Sequence, residues 1–156
     1  VIANPLINIT LQGRHDTYPK RRGMTRVPEL MDAGIKVAFG HDCVMDPWYS
    51  LGSADMLEVA SIGLHLAQMT GVEQMKACFQ AITEVPAAIL GLEGYGLEEG
   101  CNADLVILQA KDAVEALRLK ANRLFVIRRG KVISTSPPAE SHLNLPGRPK
   151  IQNYIF

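Results

Sequence analysis

Ile35-Lys36-Val37-Ala38-Phe39-Gly40-His41-Asp42 joins a short β-branched and aromatic run to a glycine that ends it, then to two side chains able to do chemistry. A run of this kind bounded by glycine reads as a buried strand over 35–39. Just upstream, residues 24–33 (MTRVPELMDA) place Val27, Leu30 and Met31 at helical spacing, with Thr25 as N-cap and Gly34 as the C-terminal stop. Helix, short loop and buried strand make half of a βαβ unit, and the apolar Val1-Ile2-Ala3 supplies the other strand. The spacing therefore predicts a parallel sheet. Residues at the carboxyl ends of parallel strands face active sites, so Asp42 stands where a catalytic carboxylate would. An aspartate after a strand also caps loops, and position alone leaves both readings open.

Downstream, residues 54–69 put Met56, Val59, Ala60, Gly63 and Ala67 on one helical face with Leu57 and Leu64 beside them. Residues 73–82 repeat the pattern with Met75, Cys78, Phe79 and Ile82. A third helix is predicted over 84–90, capped by Thr83 and ended by Gly91. The character then changes. A glycine-rich stretch, GLEGYGLEEG, leads into a strand-like run over 103–109, a short helix over 112–121, and two β-rich runs separated by Arg129-Gly130, which reads as a hairpin turn. The last twenty residues, with Pro137, Pro138, Pro146 and Pro149, read as an extended arm.

Sixteen Lys and Arg against sixteen Asp and Glu leave no net charge to draw the chain onto a polyanion, which argues against nucleic acid as a partner. No apolar stretch approaches the roughly 20 residues of a membrane helix. Cys43, Cys78 and Cys101 are an odd number without CxxC spacing and are expected as reduced thiols in a cytoplasmic protein.

The histidines form neither HxH nor HExxH. His65 reads as a partly buried helix residue and His142 as a solvated residue of the tail. His15 and His41 lie on loops at one end of the predicted sheet, where either could approach a site. Lys20-Arg21-Arg22 reads as a solvated face. The glycines at 91, 94, 96 and 100 do not open a helix after a strand, so no phosphate cradle is expected. Trp48 follows Asp42 on the same loop, and its ring is expected either to line a pocket or to plug the loop.

The segment NPLINITLQGRHDTYPKRRGMTRVPELMDAGIKVAFGHDCVMDPWYSLGSADML, Asn4 to Leu57, resembles the C-terminal third of bacterial cytosine deaminases of the amidohydrolase superfamily, above all in LQGR, DTYPKRRG, FGHD and DPW. Gly96-Leu97-x-x-Gly100-x-x-Ala103-Asp104-Leu105-Val106 and Val126-x-x-x-Gly130-Lys131-Val132-Ile133 resemble the β-sandwich that flanks the barrel of that superfamily. The resemblance implies an α/β chain carrying the last two β/α units of a TIM-type (β/α)8 barrel over 1–92. Part of the β-sandwich would follow over 93–136 and a proline-rich arm over 137–156. Val1–Ala3 would be the seventh barrel strand and Ile35–Phe39 the eighth. Such a barrel takes about 250 residues, so 156 are expected to form an incomplete domain whose partner is the N-terminal part of the same enzyme.

By the same resemblance Asp42 ligates one divalent ion, Fe2+ or Zn2+, and relays the proton of a water that attacks the amino-bearing ring carbon of cytosine or a related amino-heterocycle, releasing ammonia. The alternatives are a triazine or isoguanine substrate, or a piece inactive by itself. The metal would be held mainly by residues outside this chain, since one aspartate cannot hold it. Trp48 matches a tryptophan near the substrate. Cys43 stands where the typical enzyme has a second aspartate, which should alter the pocket around the ring. A homo-oligomer is also implied.

Overall fold

In the computed structural model, which describes residues 1–148, the parallel pair is present: β1 (Ile2–Ala3) lies against β2 (Ala38–Phe39), with Ile2 opposite Ala38 and Ala3 opposite Phe39. The ladder is shorter than the 35–39 run. Lys36 accepts from the amino group of Val1, and Ile35 and Lys36 are exposed. The hydrogen bonds from Ala38 to Val1 and from Gly40 to Ala3, both 2.9 Å, hold one edge of β2. On the other edge the Phe39 N–H donates to Ala81 at 2.8 Å.

Between the strands lie α1 (Pro5–Leu11) and α2 (Val27–Asp32). The first was not predicted, because Ile7, Ile9 and Thr10 are β-branched and Asn4-Pro5 reads as a strand stop. Pro at the first helical position is also a start signal, and the burial of Pro5, Leu6 and Ile7 outweighs weak propensity. In α2 the cap falls at Arg26 rather than Thr25, and Pro28 lies in the first turn, where its missing N–H would have no helical partner. Gly34 follows that helix with φ of 75°, as a C-terminal stop requires.

Three further helices cover the pair: α3 (Met56–Leu66), α4 (Val72–Gln80) and α5 (Glu84–Leu90). Thr83 stands at the N-cap of α5, as expected, but its side chain makes no cap hydrogen bond. Its hydroxyl donates to Phe79 at 3.0 Å, while Gly91 ends the helix in the left-handed region. His65 is exposed, not partly buried, with Nδ1 turned to the Ser61 carbonyl of its own helix. Cys43, Cys78 and Cys101 are all free, and burial pushes the Cys78 thiol up to about 11.

The C-terminal part is an antiparallel sheet of β3 (Leu105–Leu108), β4 (Arg123–Arg128) and β5 (Lys131–Thr135), in the order β3-β4-β5, with α6 (Ala113–Leu119) between the first two strands. Arg129 and Gly130, at φ of 48° and 73°, form the predicted hairpin turn, which needs positive φ at both positions. Helix α6 packs on both α3 and α4. The start of the arm is tied down: Gln109 exchanges two hydrogen bonds with Ala139, and Asn122 donates to Pro137. Pro149 and the remainder of the arm lie outside the described residues.

A single core includes Ala3, Val27, Val37, Phe39, Val59, Ala60, Cys78 and Leu117. At Gly63 helix α3 comes close to β2, because a Cβ there would sit 2.9 Å from the Phe39 ring. Gly63→Ala should gain about 1 kcal/mol of helix propensity and lose about 1–3 kcal/mol by overpacking a buried ring. Chemical denaturation should therefore show net destabilisation, and a more stable variant would contradict the packing described.

One side chain joins the two sheets' neighbourhoods. Asp55 caps α3 by accepting from Leu57 (2.8 Å) and Glu58 (3.3 Å), and both its oxygens also receive the Arg123 guanidinium of β4. Asp55→Asn keeps a good cap and should lose about 1 kcal/mol, whereas Asp55→Ala loses cap and fork together, about 2–3 kcal/mol. Equal losses in urea titrations would show that the cap contributes nothing, and an unchanged Asp55→Asn would show that the Arg123 ion pair contributes nothing.

Candidate active site

β2 ends at Phe39, and the chain leaves it through Gly40, His41 and Asp42. Asp42 has φ of 65°, and Met45 and Ala54 on the same loop are also positive, at 51° and 57°. Left-handed backbone costs a non-glycine residue about 1–2 kcal/mol, and such strain gathers at functional sites. The turn presents Asp42 to solvent while the residues on either side are drawn inward.

His41 is the inward anchor. It is 8% exposed, and its Nδ1 lies 2.8 Å from the Cys43 carbonyl. A carbonyl can only accept, so Nδ1 donates to it, and Nε2 is buried without a hydrogen-bond partner among the described residues. Tyr49 stands beside the ring at 6.2 Å between centroids. Gly52, with φ of 90°, leaves room for it, since a Cβ there would lie 2.4 Å from Cε1. His41 thus braces the loop from behind and does not share Asp42's exposed face.

Asp42 is met instead by Asn4, which follows β1: Asn4 Nδ2 donates to Asp42 Oδ2 at 3.0 Å. On its other side the Cys43 thiol reaches Asp42 Oδ1 at 3.6 Å. Asp46, burial and Asp42 together push that thiol up to about 12. Asp46 shapes the rest of the loop by accepting from the backbone N–H groups of Trp48 and Tyr49, each at 2.9 Å. The Trp48 indole is 69% exposed, so among the described residues it neither plugs the loop nor sits in a closed pocket. His15 is exposed, and no hydrogen bond links it to Asp42 among the described residues.

Sequence reasoning brought forward Asp42, Cys43 and Trp48 and missed Asn4 and Asp46. Asn4 had a usable signal: it follows a strand parallel to β2 and so belongs at the same end of the sheet. Asp46 had only its Asp-Pro step, a turn former.

As a metal ligand, the Asp42 carboxylate offers the oxygen donor that Zn2+ and Fe2+ accept, but these ions take three or four protein ligands. Among the described residues no group of three or more His, Cys, Asp or Glu is placed to hold one. Asp42 fits as one ligand of a centre, not as the whole of it.

The geometry is that of a carboxylate at the carboxyl end of a parallel strand. Residues 1–135 match the amidohydrolase family. The chain belongs to that family. It is 34% identical over 140 residues to the pterin deaminase of Rhizobium rhizogenes, covering 88% of this chain and 32% of that protein. The 5-methylcytosine deaminase of Klebsiella pneumoniae, solved with 5-fluorocytosine, superimposes with a TM-score of 0.85 at 43% identity, covering 94% of this chain and 35% of that one. N-isopropylammelide isopropylaminohydrolase of Burkholderia multivorans gives a TM-score of 0.70 at 29% identity over 75% of this chain and 30% of that one. This amidohydrolase chain spans about a third of the length of the relatives it matches. Among its described residues no helix is long and apolar enough to cross a membrane.

After α1 lies an open groove of about 550 Å³, lined in part by Gln12, Arg14, Tyr18, Lys20 and Arg22. Its wall is held by a two-pronged fork from Arg21 to Asp16, both contacts 2.7 Å. The guanidinium holds the Asp16 carboxyl below the usual carboxylate range. A carboxyl with a depressed folded pKa contributes order that is fully present above its unfolded pKa and lost as pH falls through the folded one. Protection of the Arg21 Nε–H against exchange, read by NMR, should therefore persist from neutral pH down through the ordinary carboxylate range and be lost only at still lower pH. In Asp16→Asn the protection should be weak at every pH; undiminished protection would rule out the fork.

Proposed function

We propose that this chain supplies the Asp42-bearing part of a metal-dependent hydrolytic deaminase, acting on an amino-substituted N-heterocycle of the cytosine type. The observation that carries this reading is the 43% identity to 5-methylcytosine deaminase over 94% of the chain, with Asp42 standing at a parallel strand end. In this reading β1 and β2 are the seventh and eighth strands of a (β/α)8 barrel that accounts for residues 1–92, and residues 93–136 belong to the flanking β-sandwich. The N-terminal part of the same enzyme supplies the other ligands.

Asp42 is one ligand of a divalent ion, Fe2+ or Zn2+, whose chemistry is to acidify a water and polarise the ring. The remaining steps fall to side chains. Asp42 takes the water's proton on a carboxylate oxygen and passes it to the departing amino group. A C–O bond forms at the amino-bearing carbon, the C–N bond breaks, and ammonia leaves with the oxo product. Cys43, beside Asp42, places a small thiol where the typical enzyme carries a carboxylate. This leaves apolar room beside the ring for a substituent such as methyl or fluorine. Trp48, exposed on the same loop, provides a flat apolar face for the heterocycle.

In the protein that carries this segment, loaded with Fe2+ or Zn2+, Asp42→Ala should lower ammonia release at least about 100-fold, since it removes a metal ligand and a proton relay together. Retention of more than a few per cent of activity would remove the proposed role. A panel of cytosine, 5-methylcytosine, 5-fluorocytosine, pterin and ammelide amines separates the substrate readings. The 5-substituted cytosines should be turned over at least as well as cytosine, and Cys43→Asp should shift the preference toward cytosine about 10-fold or more. Preference for pterin would instead favour the reading supported by the 34% identity to pterin deaminase.

A further inference from the structure

Asn4 occupies the N-cap position of α1, where asparagine is among the favoured residues because its side chain can accept from the first turn. Here it accepts nothing from the helix: the N-cap makes no side-chain hydrogen bond. Its amide instead crosses to a residue 38 positions away and donates to Asp42 Oδ2 at 3.0 Å. The space for that amide is made by Gly40. A Cβ on Gly40 would lie 2.4 Å from Asn4 Oδ1, and 3.1 Å from a methyl of Ile2. The φ of Gly40 is not left-handed, so its lack of a side chain answers a packing need and not a backbone one. The backbone ladder, with Gly40 donating to Ala3, fixes both ends of this contact.

We propose that Asn4 is a positioning residue for Asp42. It occupies one carboxylate oxygen and holds the carboxylate's rotation at the strand end, with Gly40 as the gap that admits its amide. The inference rests on the reading of Asp42 as metal ligand and proton relay. A donor that fixes a ligand's orientation acts on how well the ion is held and how well the proton moves. Residues of this kind change metal affinity or activity by about 10–100-fold. Substrate binding should be nearly untouched, because the amide is on the carboxylate's flank.

The test uses the protein that carries this segment and three variants. Asn4→Ser keeps a residue that starts helices well but is too short to reach Asp42, Gly40→Ala displaces the amide from the other side, and the third combines both. The readouts are the Zn2+ dissociation constant by chelator competition, and kcat and KM for the preferred heterocycle. Each single variant should weaken Zn2+ binding about 10-fold or more and lower kcat by a similar factor, with KM within about 2-fold. The double variant should be no worse than the worse single one, because both remove the same contact. Folding is checked by circular dichroism, and if Asn4→Ser unfolds, Asn4→Leu, of similar size but without the donor and adding no charge beside Asp42, replaces it. Parental Zn2+ affinity and kcat in Asn4→Ser or its replacement, or additive losses in the double variant, overturn the proposal. If Asp42→Ala itself leaves Zn2+ affinity unchanged, the reading of Asp42 fails and takes the inference with it. Loss in Asp42→Ala beside a silent Asn4→Ser sinks the inference alone.

Discussion

The parallel register of two short strands governs the rest of this chain. Ile2 opposite Ala38 and Ala3 opposite Phe39 require the strand ends to lie side by side, so Asn4 and Asp42 leave the sheet together. Everything between them has to return the chain to the start of β2, and α1 and α2 do so by burying Leu6, Ile7 and Val27. The pair has only two residues in each strand, too few for the ladder to stand alone. Its stability comes from the helices above it, where Gly63 lets α3 approach the Phe39 ring.

The loop after β2 divides its work between a buried and an exposed side. His41 and Tyr49 are buried and brace the backbone, while Asp42 and Trp48 are exposed. Such a division lets a strained turn hold a carboxylate in one place without spending the carboxylate itself on structure. The arrangement also explains why the two neighbours His41 and Asp42, equally reactive on paper, have different fates. The left-handed φ of Asp42 turns the chain between them, with His41 left against the core and Asp42 in solvent.

The helices over 54–69, 73–82 and 84–90 were legible because their apolar residues recur at the helical period, and the hairpin because Arg-Gly accepts positive φ at a two-residue turn. Helix α1 was hidden by β-branched residues whose burial is a tertiary matter. Thr25 and Thr83 looked like caps, yet one stands two residues before its helix and the other bonds back to Phe79. Capping residues are common, and only the path of the backbone decides which of them reaches an orphan N–H. The Trp48 ring is exposed among the described residues, on a loop where Asp46 accepts from the Trp48 backbone N–H.

The order of residues by itself determined the parallel strand pair, most of the helices, the hairpin and the placing of Asp42 at a strand end. Those features depend on near neighbours: apolar period, glycine stops and the sense of a crossover. Only the tertiary structure decided that Asn4 serves Asp42, that Arg123 completes the cap of α3 from 68 residues away, and that His41 turns inward. These are contacts between segments whose separation along the chain carries no trace of their separation in space. They exist because burial of one shared core brings the segments together, after which side-chain length and the absence of a Cβ at Gly40, Gly52 and Gly63 select the partners.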